Sequence, residues 1–174
     1  VFELGLKVYV ARRSYGWLFL FLLTILLLFI GFFTLQLYMA IGDTILLISS
    51  LLILGVALFQ IIVLANLPYM RYELNDEKLV IKCGFILKYV IPLSSIKRVV
   101  KRDLEISLWS SFRLPGLALF RVPYADVGVV KMCATSMSRG IILIETDRGL
   151  YGITPDNEEQ FIADFHSRIR GKLL

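Results

Sequence analysis

Trp17 to Met39 reads WLFLFLLTILLLFIGFFTLQLYM, and Thr44 to Leu67 reads TILLISSLLILGVALFQIIVLANL. Neither stretch contains a charged residue. Each is about 23 residues, or about 34 Å as a helix, against a hydrocarbon core of about 30 Å. Only Ala40, Ile41, Gly42 and Asp43 separate them. The spacing predicts a membrane protein with a transmembrane helical hairpin over residues 17–67. Residues 1–16 form a short segment ahead of it, and residues 68–174 a polar domain hung from its second arm.

Composition agrees. The chain has 174 residues, 57% of them hydrophobic, and a mean hydropathy of +0.75, too apolar for a soluble domain of this size. The chain after Pro68 is long enough for one compact domain. A net charge of +5 in a soluble protein raises nucleic acid as a partner. Beside a membrane the expected counter-charge is anionic lipid, and no nucleic acid is expected. Cys83 and Cys133 fit a reducing compartment and read as two small core residues. The first apolar run exceeds the 7 to 15 or so residues of a signal-peptide core, and no Ala-x-Ala site follows it.

Orientation follows from charge. Lys7, Arg12 and Arg13 precede the first span, and Arg71, Lys78, Lys82 and Lys88 follow the second. The connection carries only Asp43. The positive-inside rule then places both termini and the domain in the cytoplasm of a cell membrane. Tyr15 and Trp17 fall where an aromatic belt is expected. In residues 1–15 the apolar Phe2, Leu4, Leu6, Val8 and Val10 alternate with other residues. Both a short strand and an interfacial helix fit that pattern. Small and weakly polar residues in the second span (Ser49, Ser50, Gly55 and Ala57) make a candidate helix-packing face for the first span or a partner subunit. With no ionisable side chain inside either span, a proton path, ion path or voltage sensor is not expected from this chain alone.

From Tyr69 onward the pattern is short strands. Tyr72–Leu74 and Lys78–Cys83 flank a polar turn, Asn75-Asp76-Glu77. Further strands are expected over Phe85–Ile91, Ser94–Arg102, Leu117–Val122, Val127–Ala134, Ile141–Glu145 and Leu150–Ile153, with Asp103–Gly116 as a loop. Asp147-Arg148-Gly149 reads as a tight connection. Many short strands at regular spacing indicate an all-β sandwich or barrel. One helix closes the chain, with Thr154 as N-cap and Pro155 at its first position. Phe161, Ile162, Phe165 and Ile169 fall on its inner face.

Strands followed by one C-terminal capping helix is the order of a pleckstrin-homology-like (PH-like) domain. Leu114-Pro115-Gly116-Leu117, Phe120-Arg121, and Gly128 through Cys133-Ala134-Thr135 resemble a pattern of bacterial and archaeal PH-like domains. So do the apolar strand Ile141–Ile144, the Arg148-Gly149 turn, and Ile153-Thr154-Pro155 with Phe161. Tyr72, Leu79, Gly84 and Ile91-Pro92-Leu93 with Ile96 extend the match over about residues 69–170. Relatives often carry two membrane spans before the domain. The resemblance implies a PH-like sandwich capped by one α-helix. It implies no catalytic residues, no cofactor and no common ligand.

Reactive chemistry is not designated by any motif. His166 is the single histidine, and one His with two distant Cys cannot assemble an ordinary closed zinc site. No Walker loop, Gly-x-Gly-x-x-Gly or Gly-x-Ser-x-Gly is present. The chain reads as a non-enzyme without catalytic, cofactor-binding or metal residues. One run stands out: Lys97, Arg98, Lys101 and Arg102, followed by Trp109 and Phe112 in a loop. Basic residues beside large apolar ones suit a lipid or partner surface. The expected function is an accessory or scaffolding subunit of a larger membrane complex, with a protein partner in that complex. The alternative is a membrane-surface module that binds anionic lipid. A small membrane enzyme or transporter component is the third reading.

Overall fold

The computed structural model describes residues 5–108 and 112–170. Its contacts divide into two compact units, 17–68 and the remainder.

The first unit is a pair of helices. α1 spans Gly16–Ile41 and α2 spans Thr44–Asn66. α1 runs two residues beyond the expected Met39, because Ala40 and Ile41 continue the helix and Gly42 stops it. Gly42 has φ +79°, the left-handed backbone of a helix end, and its N–H donates to the Tyr38 carbonyl at 2.7 Å. Asp43 then caps α2 by accepting from the Ile45 N–H at 2.9 Å. Both helices are long and apolar enough to cross a membrane, and only 17% of each apolar window is buried. A core helix of a soluble protein hides most of its surface, whereas Phe29, Phe32, Leu52 and Leu58 here stay exposed.

The contact between these helices uses part of the anticipated face. The Ser50 hydroxyl donates to the Gly31 carbonyl at 2.9 Å, and Thr24 donates to Gln60 Oε1 at 3.0 Å. A Cβ on Gly31 would stand 2.8 Å from the Leu54 side chain, so any larger residue there would displace Leu54. Ser50, Ala57 and Gln60 are buried. Ser49 and Gly55 are not on this seam: Ser49 bonds back to the Ile45 carbonyl, and a Cβ on Gly55 would meet nothing. Residues 50, 57 and 60 repeat at helical spacing, whereas 49 and 55 project to other sides.

The second unit is a β sandwich with a helix. Its strands are β1 (Lys7–Val10), β2 (Met70–Leu74), β3 (Lys78–Cys83), β4 (Leu87–Pro92), β5 (Ile96–Arg102), β6 (Arg113–Leu114), β7 (Leu117–Tyr124), β8 (Gly128–Ala134), β9 (Ile141–Thr146) and β10 (Gly149–Ile153). The helix α3 is Glu158–Arg170. One sheet has the order β1-β2-β3-β4, the other β5-β9-β10-β8-β7-β6. All neighbours are antiparallel except β10 and β8.

The first strand corrects the expected boundary between residues 1–16 and the domain. β1 pairs with β2 through four residue pairs, from Lys7↔Leu74 to Val10↔Arg71. The apolar hairpin is therefore an insertion between two neighbouring strands of one sheet. The alternation in this segment points the other way from its apolar residues: Tyr9 and Ala11 are buried, and Val8 and Val10 are exposed. Tyr9 lies edge-on to Phe161, and its hydroxyl donates to Asp164, which also pairs with Lys7. A large ring with a satisfied hydroxyl outweighs two valines in deciding which face turns inward. Phe2 and Leu4 of the alternation lie outside the described residues.

The core lies between the two sheets. Met70, Tyr72 and Leu74 of β2 and Leu79, Ile81 and Cys83 of β3 face inward. The Tyr72 hydroxyl crosses to the second sheet, donating to the Cys133 carbonyl at 2.8 Å and accepting from the Thr154 N–H at 3.3 Å. The apolar run Ile141–Ile144 is buried on both sides. Its other face meets a second cluster that includes Leu104, Val122, Tyr124, Met132 and Leu143. Thus the expected loop over Asp103–Gly116 is partly ordered: Leu104 enters that cluster, Ile106 bridges to Tyr124, and β6 pairs with β7.

Turn chemistry explains the connections. Asn75 Oδ1 accepts from the N–H groups of Glu77 and Lys78, closing the β2–β3 turn. The Thr146 hydroxyl accepts from the Arg148 N–H and donates to the Gly149 carbonyl, closing the β9–β10 turn. The helix begins three residues later than expected. Thr154 is not its cap: its hydroxyl accepts from the Thr135 N–H at 2.8 Å inside the core. Pro155 is bridged to Ala11. Asn157 is the cap, accepting from the Gln160 N–H while its amide donates to Gln160 Oε1. Asn157→Ala is expected to cost about 1 kcal/mol of domain stability, and Asn157→Ser a few tenths at most, read from denaturant midpoints. Phe161 and Phe165 are buried as expected.

Candidate binding surfaces

The basic run lies on β5, an edge strand of the six-stranded sheet. Its charges meet partners within the chain. Lys97 Nζ stands 2.8 Å from Asp147 Oδ1, and this contact raises the Lys97 pKa. Lys101 pairs with Glu158, which also holds Arg12 at 3.2 Å. Arg102 pairs with Asp126. Arg98 lies opposite Glu145 in the strand register. Three of the four cations are thus ion-paired within the chain, and the fourth faces a carboxylate across the strand register.

The apolar part of the run is divided. Phe112 packs edge-on against Phe120, with ring centroids 5.8 Å apart, and its carbonyl accepts from the Leu119 N–H. Phe120 reaches that position with φ +64°, left-handed backbone that non-glycine residues seldom adopt. Leu108 is fully exposed. Trp109 lies outside the described residues. The structure thus brings Phe112 into a ring contact with Phe120.

A different surface emerges on the outward side of the four-stranded sheet. The registers align two rows across it. One is Val8–Glu73–Val80–Val90, and the other is Val10–Arg71–Lys82–Lys88. Val8, Val10 and Val90 are about half exposed. Arg71, Lys82 and Lys88 stand directly opposite one another on adjacent strands, an arrangement that like-charge repulsion disfavours. Glu73 offsets part of it, with Arg71 Nε at 3.0 Å and Lys82 Nζ at 2.7 Å. Lys88 has no ion pair among the described residues. At the end of the sheet beyond the basic row, Tyr69 is 64% and Phe85 85% exposed. Sequence reading overlooked this face because its residues come from four separated strands and make no run. The signal available was strand alternation: Arg71 and Glu73, Lys82, and Lys88 all hold the polar positions of their strands.

Burial raises Tyr72 well above its ordinary value and pushes Tyr89 and Tyr124 up to about 12. The buried Cys133 thiol is pushed up by its contact with Cys83 and by burial. At the surface, Lys7 and Tyr9 hold the Asp164 carboxyl below its ordinary value, which keeps it charged and bound to β1. His166 is exposed and lies edge-on to Phe165.

The profile of a protein family described as "Bacterial PH domain" matches residues 70–169, from the start of β2 nearly to the end of α3. No curated protein and no solved structure matches the chain.

Proposed function

The chain belongs to the bacterial PH domain family, and from that premise we propose that it is a non-catalytic, membrane-anchored binding module that serves as an accessory subunit of a larger membrane complex. One observation carries the reading. The apolar hairpin is inserted between β1 and β2, so both of its ends are tied to neighbouring strands of one sheet. A domain tied at both ends of a hairpin is held at a surface with little reach, which suits a module that acts on a neighbour in the same membrane. The exposed Leu and Phe side chains of α1 and α2 support insertion of the hairpin in lipid. The basic residues on either side of the hairpin, against Asp43 alone between its arms, support a cytoplasmic domain.

Two measurements test the proposal. Gly42→Cys in intact cells is expected to react with an impermeant thiol reagent from outside, while Asn157→Cys stays protected until the membrane is opened. The reverse pattern would overturn the orientation. For the accessory role, purification from native membranes in mild detergent is expected to retain a partner at fixed stoichiometry. Recovery only as a solitary monomer counts against it.

A further inference from the structure

The basic row on the four-stranded sheet lies at the end where the chain leaves and re-enters the domain. Val10 pairs with Arg71, and the Ala11 N–H donates to the Met70 carbonyl. The strand that leads out through Gly16 and the strand that begins after Tyr69 therefore share one end of the sheet. Arg71 is two residues from Tyr69, about 7 Å along a strand, so the row begins within about one Debye length of the chain's exit. Lys88 is two strand spacings across, about 10 Å.

We infer that this outward face, led by Tyr69 and Phe85 and backed by Arg71, Lys82 and Lys88, rests on anionic lipid headgroups. The inference depends on the hairpin spanning a bilayer. Three facts favour lipid as the occupant. The row carries three cations, and the neighbouring row supplies one carboxylate, Glu73, against them. The repulsion between cations aligned across three strands is relieved by an anionic surface, which meets all of them at once. The two exposed aromatic rings stand at the exit end, where side chains with an apolar body settle at headgroup depth. By contrast three of the four cations of the β5 run are ion-paired to carboxylates within the chain, and Arg98 faces Glu145 across the register.

The test uses the full chain in lipid nanodiscs, with an environment-sensitive fluorophore on an introduced cysteine and spin-labelled lipids as quenchers. The native thiols are buried and leave the introduced one as the reactive site. Three positions are compared. Phe85→Cys reports the face. Phe29→Cys in α1 reports insertion of the hairpin. Arg148→Cys reports the opposite end of the domain, because its neighbour Asp147 bonds to Ser95 beyond the far end of β4. Headgroup-level quenching is expected at 85 and not at 148, stronger in discs containing phosphatidylglycerol than in phosphatidylcholine alone. Lys88→Glu changes two charges and is expected to lower the docked-to-undocked ratio about 30-fold. Quenching at 29 without quenching at 85 overturns the inference while the membrane reading stands, and leaves an acidic protein surface as the row's counterpart. Equal quenching at 85 in neutral and anionic discs also overturns it, since the tether alone then explains the proximity. No quenching at 29 refutes the spanning hairpin and the inference with it.

Discussion

Residues 69–174 expressed alone are expected to lose cooperative melting, whereas the same residues joined to 1–16 by a short Gly/Ser linker in place of the hairpin melt as one domain. β1 supplies four residue pairs to the edge of β2. Beyond it, Arg12 N–H donates to the Thr154 carbonyl at 2.8 Å, and Asp156 N–H to the Val10 carbonyl at 2.9 Å. Its one inward ring, Tyr9, closes over Phe161 at 5.1 Å between centroids. Loss of a buried aromatic costs about 3 to 5 kcal/mol, and each lost hydrogen bond about 1 kcal/mol. Together these approach the 5 to 15 kcal/mol or so that holds a domain folded. Far-UV circular dichroism during heating distinguishes the two chains. Equal transitions would mean that β1 is an ornament of the sheet and that the family-matched segment folds by itself.

Phe165→Ala is expected to lower the melting temperature by about 10 to 20 °C, the consequence of about 3 to 5 kcal/mol in a domain of this size. Phe165 is 1% exposed and stacks on Phe161, with centroids 6.3 Å apart and planes at 18°. The cavity left by its ring faces Phe161, which is itself fully buried against Tyr9. Phe165→Leu keeps most of the volume and should cost well under half as much. The measurement belongs on the linker-joined domain or on the full protein in detergent. An unchanged melting temperature for the alanine variant would show that this helix face is not part of the core and is open to a partner.

Much of the architecture was legible in single stretches of chain. The two apolar runs end in Gly42 and Asp43, a helix stop and a helix cap side by side, so a helical pair needs no distant information. Asn75 and the Thr146–Gly149 segment carry their turns in their own side chains. Phe161 and Phe165 recur at helical spacing and face inward as that spacing requires. Such features are set by neighbours within about four residues, and residue type reports them directly.

What residue type alone left open was settled by contacts between distant segments. In β1, alternation allowed either face to turn inward, and the meeting of Tyr9 with Phe161 and Asp164, more than 150 positions away, decided it. Thr154 has the chemistry of a helix cap, but Thr135 on the neighbouring strand claims its hydroxyl, so the cap passes to Asn157. Lys97, Lys101 and Arg102 read as a free basic run because Asp147, Glu158 and Asp126 are remote in sequence and adjacent in space. Arg71, Lys82 and Lys88 read as scattered charges until strand register set them in one line. Charge along a chain is a local property. Charge on a surface depends on which strands pair and in which register, and only the tertiary structure sets both.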